Sequence, residues 1–425
     1  MVPHVRRRLA AAPPPVHSGT LPGAWKVVAL LWFVACFNFM ARLMITTMHE
    51  SLVSSIPMSE AQFGLLSSMF VWTYGLLSPW AGFLSDRFSR SRVITISLFA
   101  WSAVTALTAY ARTVEQLLVM RALMAVFEAS YMPAALSLIS EYHRGATRAF
   151  ATSLHMSGAV LGCALAGLGG WLAEAKSWHF AFSMIGSVGL GYAVILALSL
   201  RDAPPETDPG PHPERTAPVA APARVTFRQA IRSLLGQPAY RFVLLFVILV
   251  GAVSLIINGW MPTYVRERFH VTQGQAGVAA TGFQNVAGLL GLFFAGFWAD
   301  RWRRRNIRGY LYVTFIGVCC AVPGLILLAS TASFFVGMAG LVLFGFCIEF
   351  SDSTQMPILC QVVDPRFRAT GYGVLNFVQQ TTGGLAIYAT GVLRDLKVDT
   401  GRILIVGGLC QILAASVLLF VKPRR

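Results

Sequence analysis

Apolar residues in this chain come in long unbroken runs, and the polar positions between them are short. At roughly 20 residues per bilayer crossing, the runs predict twelve membrane helices. These lie near 25–47, 63–84, 92–111, 114–139, 148–173, 178–200, 241–264, 275–299, 309–330, 333–359, 369–392 and 401–421. Between the sixth and seventh runs, from Arg201 to Pro238, hydrophobicity collapses into a proline-rich stretch without periodicity, which predicts a flexible linker. Its last part reads Thr226-Phe227-Arg228-Gln229-Ala230-Ile231-Arg232-Ser233-Leu234-Leu235, where Phe227, Ile231, Leu234 and Leu235 share one helical face. That is a cationic amphipathic helix suited to the inner leaflet. The expected organisation is a cytoplasmic tail (1–24), a six-helix bundle (25–200), a cytoplasmic linker (201–239), and a second six-helix bundle with a short tail (240–425). The fold class is an all-α membrane protein.

Composition agrees. Hydrophobic residues make up 56% and charged residues 12% of the chain, about half the charged share of a soluble domain, and mean hydropathy is +0.62. The net charge of +16 is distributed by span rather than by face. Cations gather in the tail (Arg6, Arg7, Arg8), in the loops after even-numbered spans and at the C-terminus (Lys422, Arg424, Arg425). The loop from His49 to Glu60 holds no Lys or Arg, and the last odd loop (Arg394, Lys397, Arg402) is a mild exception. The positive-inside rule then places both termini in the cytoplasm. A nucleic-acid surface needs its cations on one continuous face with interleaved aromatics, so no nucleic-acid partner is expected. The seven cysteines fall in or at the ends of the runs, which argues against a disulfide framework. No Cys/His spacing suggests a structural metal, and no cofactor is implied.

One loop is written twice. Gly82-Phe83-Leu84-Ser85-Asp86-Arg87-Phe88-Ser89-Arg90 follows the second run, and Gly296-Phe297-Trp298-Ala299-Asp300-Arg301-Trp302-Arg303-Arg304 follows the eighth. Such a recurrence marks a duplicated bundle. A second pair of clusters follows the fourth and tenth runs, with Glu141 and Arg144 in one and Asp364 and Arg366 in the other. Topology needs only the cations, so an acid in each basic cluster points to gating contacts, with Gly82 and Gly296 allowing close helix approach. The repeated loop resembles the signature of the major facilitator superfamily of transporters. That resemblance implies two halves around a mid-membrane site that opens alternately to either side.

Charges within apolar runs each cost at least a few kcal/mol unless paired. Arg42 interrupts the first run. Arg121 and Glu128 stand two helical turns apart on one face of the fourth, and Glu349 and Asp352 share a face of the tenth. For Arg121, Glu349 and Asp352 the choice lies between a structural and a coupling role. A guanidinium is permanently charged and presents a planar fork for carboxylate or phosphate. A buried carboxylate can titrate near neutral pH. Arg42 and Glu128 together can therefore exchange an organic anion against a proton. His155 is a second protonatable candidate. Asn38, Asn258, Gln284, Asn285, Asn376, Gln379 and Gln380 are candidates to ring the cavity, flanked by Trp72, Tyr74, Trp260 and Tyr264.

Several strings resemble the anion–cation symporter group of the superfamily: Asn38-Phe39-Met40-Ala41-Arg42, Glu128-Ala129 with Pro133, Trp260-Met261-Pro262-Thr263-Tyr264, and Gly371 to Asn376. The resemblance implies a carrier of sugar acids or other organic anions, with Arg42 as carboxylate ligand and Glu128 as the proton-coupling acid. Ala41 stands where that group carries a second coupling acid, which leaves one proton, or facilitated diffusion. Glu128-Ala129-Ser130-Tyr131 also resembles the spinster-like lysolipid transporters. Multidrug exporters are a further alternative, though the glycine-rich fifth run lacks their Gly-Pro pair. From another class, a nutrient sensor would need an output domain, and an enzyme would need a nucleophile–base pair or a metal constellation; no HExxH, GxSxG or P-loop string occurs. The expected partners are a small anionic substrate, protons and the bilayer, for a monomer in a bacterial cytoplasmic membrane.

Overall fold

The computed structural model describes residues 21–143, 147–204 and 227–422. Sixteen α-helices and two 3-10 turns build it, and no strand occurs among the described residues. Span 1 is α1 (Ala24–Leu43) with the 3-10 turn Met44–Thr47, after which a short α2 (His49–Ser55) leads into span 2, α3 (Glu60–Arg87). Span 3 is α4 (Arg90–Thr108). Span 4 is divided into α5 (Val114–Glu128) and α6 (Tyr131–Tyr142), and span 5 into α7 (Arg148–Leu165) and α8 (Gly167–Ala175). Span 6 is α9 (Trp178–Ser199). After the amphipathic α10 (Phe227–Leu235), spans 7 to 12 are α11 (Pro238–Phe269), α12 (Gln273–Arg303), α13 (Gly309–Ser330), α14 (Phe334–Val362), α15 (Arg368–Asp395) and α16 (Thr400–Leu418). Ten of these spans are long and apolar enough to cross a membrane by length and composition. The other two are α3 and α15; α15 dilutes its apolar run with Asn376, Gln379, Gln380, Thr381 and Thr382, as expected of a helix that borders a polar cavity.

Local chemistry explains the ends and breaks. Thr113, Ser177 and Asp399 cap α5, α9 and α16 by accepting from a backbone N–H of the first turn, and Thr272 and Gln275 form a reciprocal capping box on α12. Span 4 breaks where Pro133 dictates it. The proline has no N–H for the carbonyl of Ala129 and its ring crowds that carbonyl, so α5 ends on Glu128. Pro262 acts more mildly within α11, where it frees the carbonyl of Asn258 without ending the helix. Close approaches use glycine: a Cβ at Gly162 would meet the carbonyl oxygen of Cys36 at 2.3 Å, which lets spans 1 and 5 touch.

Packing divides by half. One apolar cluster draws its buried residues from α1 to α9, joined by Trp260 and Ile387 from beyond the linker with Leu255 and Ile256 packed against it, and another draws on α10 to α16. The first linker residues are stitched to the first half. Asp202 Oδ1 accepts from the backbone N–H of Ser91 at 2.8 Å, and the Tyr142 hydroxyl donates to the carbonyl of Arg201 at 3.1 Å. Partial burial would raise the Asp202 carboxyl, but hydrogen bonds from Ser89 and Ser91 and the nearby Arg90 charge lower it. On α10, Leu234 is buried against the second half while Leu235 stays exposed. The expected linker body, 205–226, lies outside the described residues.

Candidate functional site

Arg42 stands on the last turn of α1, and its fork is spent on one atom. Its Nε and Nη2 lie 3.0 and 2.9 Å from Oε1 of Glu128, the residue at the break in span 4. The Glu128 side chain is 1% exposed and that of Arg42 17%, so this is a desolvated pair facing a narrow opening. Three rings surround the guanidinium, with centroids at 4.9 Å (Phe39), 4.7 Å (Phe70) and 4.5 Å (Tyr74). Cation–π attraction of this kind strengthens when water is excluded. Phe70 also carries Arg121 on its ring, at 4.8 Å.

Arg121 has a different task. Its Nη2 donates to the carbonyl of Arg42 at 3.1 Å and its Nε to the carbonyl of Leu66 at 3.3 Å. It therefore fixes the end of span 1 to spans 2 and 4 instead of closing an ion pair with Glu128. Asn38 is buried on α1 beside the Glu128 carboxylate, with its amide placed toward it.

Beside this cluster lies a cavity of about 150 Å³ walled by both halves, with Phe39, Arg42 and Arg121 on one side and Asn258, Gln380 and Ile387 on the other. Gln284 Nε2 donates to Asn258 Oδ1 at 3.3 Å, while Asn285 spends its amide on the carbonyl of Thr281. Asn376 and Gln379 are half-buried on α15, and Gln379 packs over Gly251. Trp72 donates across the halves to the carbonyl of Thr381 at 3.0 Å. Glu349 lies against Gly288 and Asp352 is exposed; among the described residues neither makes a salt bridge.

Other candidates stand apart. Trp260 is fully buried behind the cavity wall, where its indole donates to the carbonyl of Ile387 at 3.1 Å. The Tyr264 hydroxyl donates to the carbonyl of Leu328 on α13. His155 is buried beside Tyr131 and the backbone of Leu31, apart from the cavity.

At the end of the bundle that carries the linker, Arg90 pairs with Glu141 at 2.9 Å within the first half. The second half does not copy this. Asp300 accepts from the Tyr310 hydroxyl at 3.0 Å, and Asp364 accepts from the backbone N–H of Arg366 to start a 3-10 turn. Arg87, Arg301 and Arg366 are exposed. Arg144 lies outside the described residues, as do the side-chain surroundings of Gly82 and Asp86. The expected close helix approach at Gly296 is corrected: a Cβ there would meet nothing within 4 Å, and the tight contact falls at Gly291, against the carbonyl oxygen of Phe346.

A second charged cluster, at the opposite end, was not singled out from the sequence. Arg394 Nε donates to Glu60 Oε2 at 2.9 Å across the halves, and its Nη1 and Nη2 take Glu267 at 3.1 and 2.7 Å. Its signal was present in the chain, since Arg394 is one of the three cations that make the last odd loop an exception to the charge asymmetry.

A family model described as Major Facilitator Superfamily matches residues 31–387. Protein spinster homolog 1 of Xenopus tropicalis is 24% identical over 394 residues, covering 88% of this chain and 74% of that protein. The hexuronate transporter of Bacillus subtilis (strain 168) is 22% identical over 422 residues, covering 93% and 94%. A solved bacterial homologue of the human lysosomal transporter Spinster, inward-facing and occupied, superposes with a TM-score of 0.75 at 22% identity over 95% of each chain. The twelve-span duplicated bundle and the family match agree, and the chain belongs to the major facilitator superfamily of transporters.

Proposed function

We propose that this chain moves a small organic anion, a carboxylate or sugar acid, by alternating access of its two six-helix halves, with Glu128 carrying a coupled proton. The observation that carries the reading is the Arg42–Glu128 pair at the cavity wall. Glu128 occupies the fork that a substrate carboxylate needs. Protonating Glu128 cancels its charge and releases the fork, and the substrate oxygens take its place as bidentate acceptors.

Charge bookkeeping supports the same cycle. Arg42, Arg121 and an ionised Glu128 leave one net positive charge. A protonated Glu128 with a monovalent anion on Arg42 leaves the same. The loaded and empty cavities then cross the membrane at equal electrostatic cost, which suits electroneutral symport of one proton per anion. The loss of a second acid at Ala41 fits that single proton. Hexuronate and D-galactonate transporters among the relatives favour sugar acids. In this reading the linker end faces the cytoplasm, in keeping with its arginines, and a monomer sits in a bacterial cytoplasmic membrane.

A second reading has its own observation. The rings of Phe39 and Phe70 and the side chains of Leu43, Val71 and Ile387 make much of the cavity wall apolar, which also suits an amphiphile with an anionic head. Spinster relatives and Glu128-Ala129-Ser130-Tyr131 favour a lysolipid.

Uptake into proteoliposomes under an imposed pH gradient tests both readings, with radiolabelled D-galactonate, a hexuronate and a lysophospholipid compared. Accumulation of an acid above its equilibrium level, abolished when the gradient is collapsed, is the expected outcome. Glu128→Gln, which mimics the protonated state, should still exchange that acid across the membrane and lose accumulation. Accumulation that survives Glu128→Gln would remove Glu128 as the coupling group, and uptake of the lysophospholipid alone would favour the second reading.

A further inference from the structure

Among the described residues, the hydrogen bonds and ion pairs joining the halves concentrate between mid-membrane and the end opposite the linker. Ser51 and Gln273 exchange two hydrogen bonds there, Glu174 accepts from the backbone of Gly274 at 2.6 Å, and Glu50 pairs with Arg266. At the centre of this seal stands Arg394. It is clamped to its own half by Glu267 and by the Thr400 hydroxyl at 2.6 Å, and reaches across to Glu60. The next residue, Asp395, caps the first turn of α3 by accepting from the backbone N–H groups of Glu60 and Ala61, both at 2.9 Å. Glycine admits the approach: a Cβ at Gly391 would meet the carbonyl oxygen of Glu60 at 2.4 Å.

Between the seal and the cavity lies Trp260. Arg394 lies over the ring of Trp260 at 4.9 Å, the Trp260 indole holds the carbonyl of Ile387, and Ile387 with Gly259 already lines the cavity. Phe63 and His49 complete the aromatic layer, and His49 Nε2 lies 3.1 Å from Glu60.

We propose that Glu60 and Arg394 form the latch of the outer gate and that Trp260 is the septum it holds shut. This rests on the alternating-access reading, but on neither the substrate nor the proton. Arg394 stays with its own half, bound by Glu267, while the bond to Glu60 and the cap from Asp395 are made and broken once per cycle. Releasing them lets α3 and α15 part at this end, and the cavity then opens away from the linker.

The latch is tested without any substrate. The seven natural cysteines are replaced by alanine and Val71, in the cavity wall, by cysteine. Labelling by a membrane-impermeant maleimide is then timed from each face of right-side-out and inverted vesicles. The unlatched variants are Glu60→Gln and, separately, Arg394→Gln. Each should label about fivefold faster from the face opposite the linker and correspondingly slower from the linker face, because a latch moves a population between two states. Trp260→Ala should label faster from the far face with no fall at the linker face, because it opens a leak. The latch is overturned if both charge variants label like the parent. It is equally overturned if they label faster from both faces, the mark of a loosened fold. A failure of anion uptake leaves these rates untouched, and the reverse holds as well.

Discussion

At the scale of single residues, the cavity is organised around one guanidinium whose carbonyl, fork and face are all used. The carbonyl is held by Arg121, the fork by Glu128 and the face by Phe39, Phe70 and Tyr74. A lysine at position 42 keeps the charge and loses the planar fork and much of the stacking. Arg42→Lys should therefore fall within about fivefold of Arg42→Ala in initial uptake rate, and near-normal uptake by the lysine variant would show that charge alone suffices. Glu60 offers a test by pH. Against burial, which raises its carboxyl, the hydrogen bond and charge of His49 and the Arg394 guanidinium hold it down to about 2, from an ordinary 4.5. A depressed carboxyl stabilises the fold fully above its unfolded value and loses that contribution as pH falls through its folded value. The difference in melting temperature between the parent and Glu60→Gln should thus shrink as pH falls below about 4. A gap that does not shrink there would show that the seal does not hold the Glu60 carboxylate ionised. That Arg42 and Glu128 were costly in apolar runs was legible in the chain. That they pair was not, because they are 86 positions apart and only the crossing of spans 1 and 4 joins them.

At the scale of elements, hydrophobic run length located all twelve spans, because a bilayer fixes the length of a crossing. The two breaks were less legible. Apolar runs pass through Glu128 and Ala166 without a change in hydropathy, and the divisions arise from Pro133 in one case and tertiary contacts in the other. At the second break, the Gly167 N–H turns from the helix to donate to the Thr281 hydroxyl of span 8 at 3.1 Å. The interior arrangement of Trp260, Tyr264 and His155 was also hidden. Each reads as a polar aromatic or imidazole in an apolar run, and only packing decides which face of the helix meets the cavity. The break in span 4 has a consequence that can be measured. Pro133→Ala supplies the missing N–H for the carbonyl of Ala129, which would let α5 and α6 fuse and turn Glu128 relative to Arg42. The variant should be more stable by about 1 kcal/mol and slower in uptake, read by thermal unfolding beside transport. A variant as fast as the parent would show that the break serves only packing.

At the scale of the whole molecule, charge supplies an asymmetry that the fold alone lacks. The two halves share a loop signature, yet their charges are used differently at the two ends of the bundle. Among the described residues of the linker end most of the arginines are solvent-facing, and Arg90 and Asp202 serve contacts within one half. At the opposite end acids and arginines are matched across the halves, as Arg394 with Glu60 and Arg266 with Glu50. By the positive-inside rule the arginine-rich loops of the linker end should lie on the cytoplasmic side. The exception in the last odd loop stands: Arg394 is held by Glu60 and Glu267, while Lys397 and Arg402 remain exposed beside it. This argument fixes a direction that can fail. With the natural cysteines replaced, a cysteine in place of Glu206 in the linker should resist an impermeant thiol reagent in intact cells and react once the membrane is opened. A cysteine in place of Ser54, exposed on α2, should react in intact cells. The reverse pattern would invert the carrier, make the Glu60–Arg394 seal a cytoplasmic gate, and require the proton of Glu128 to enter from the other side.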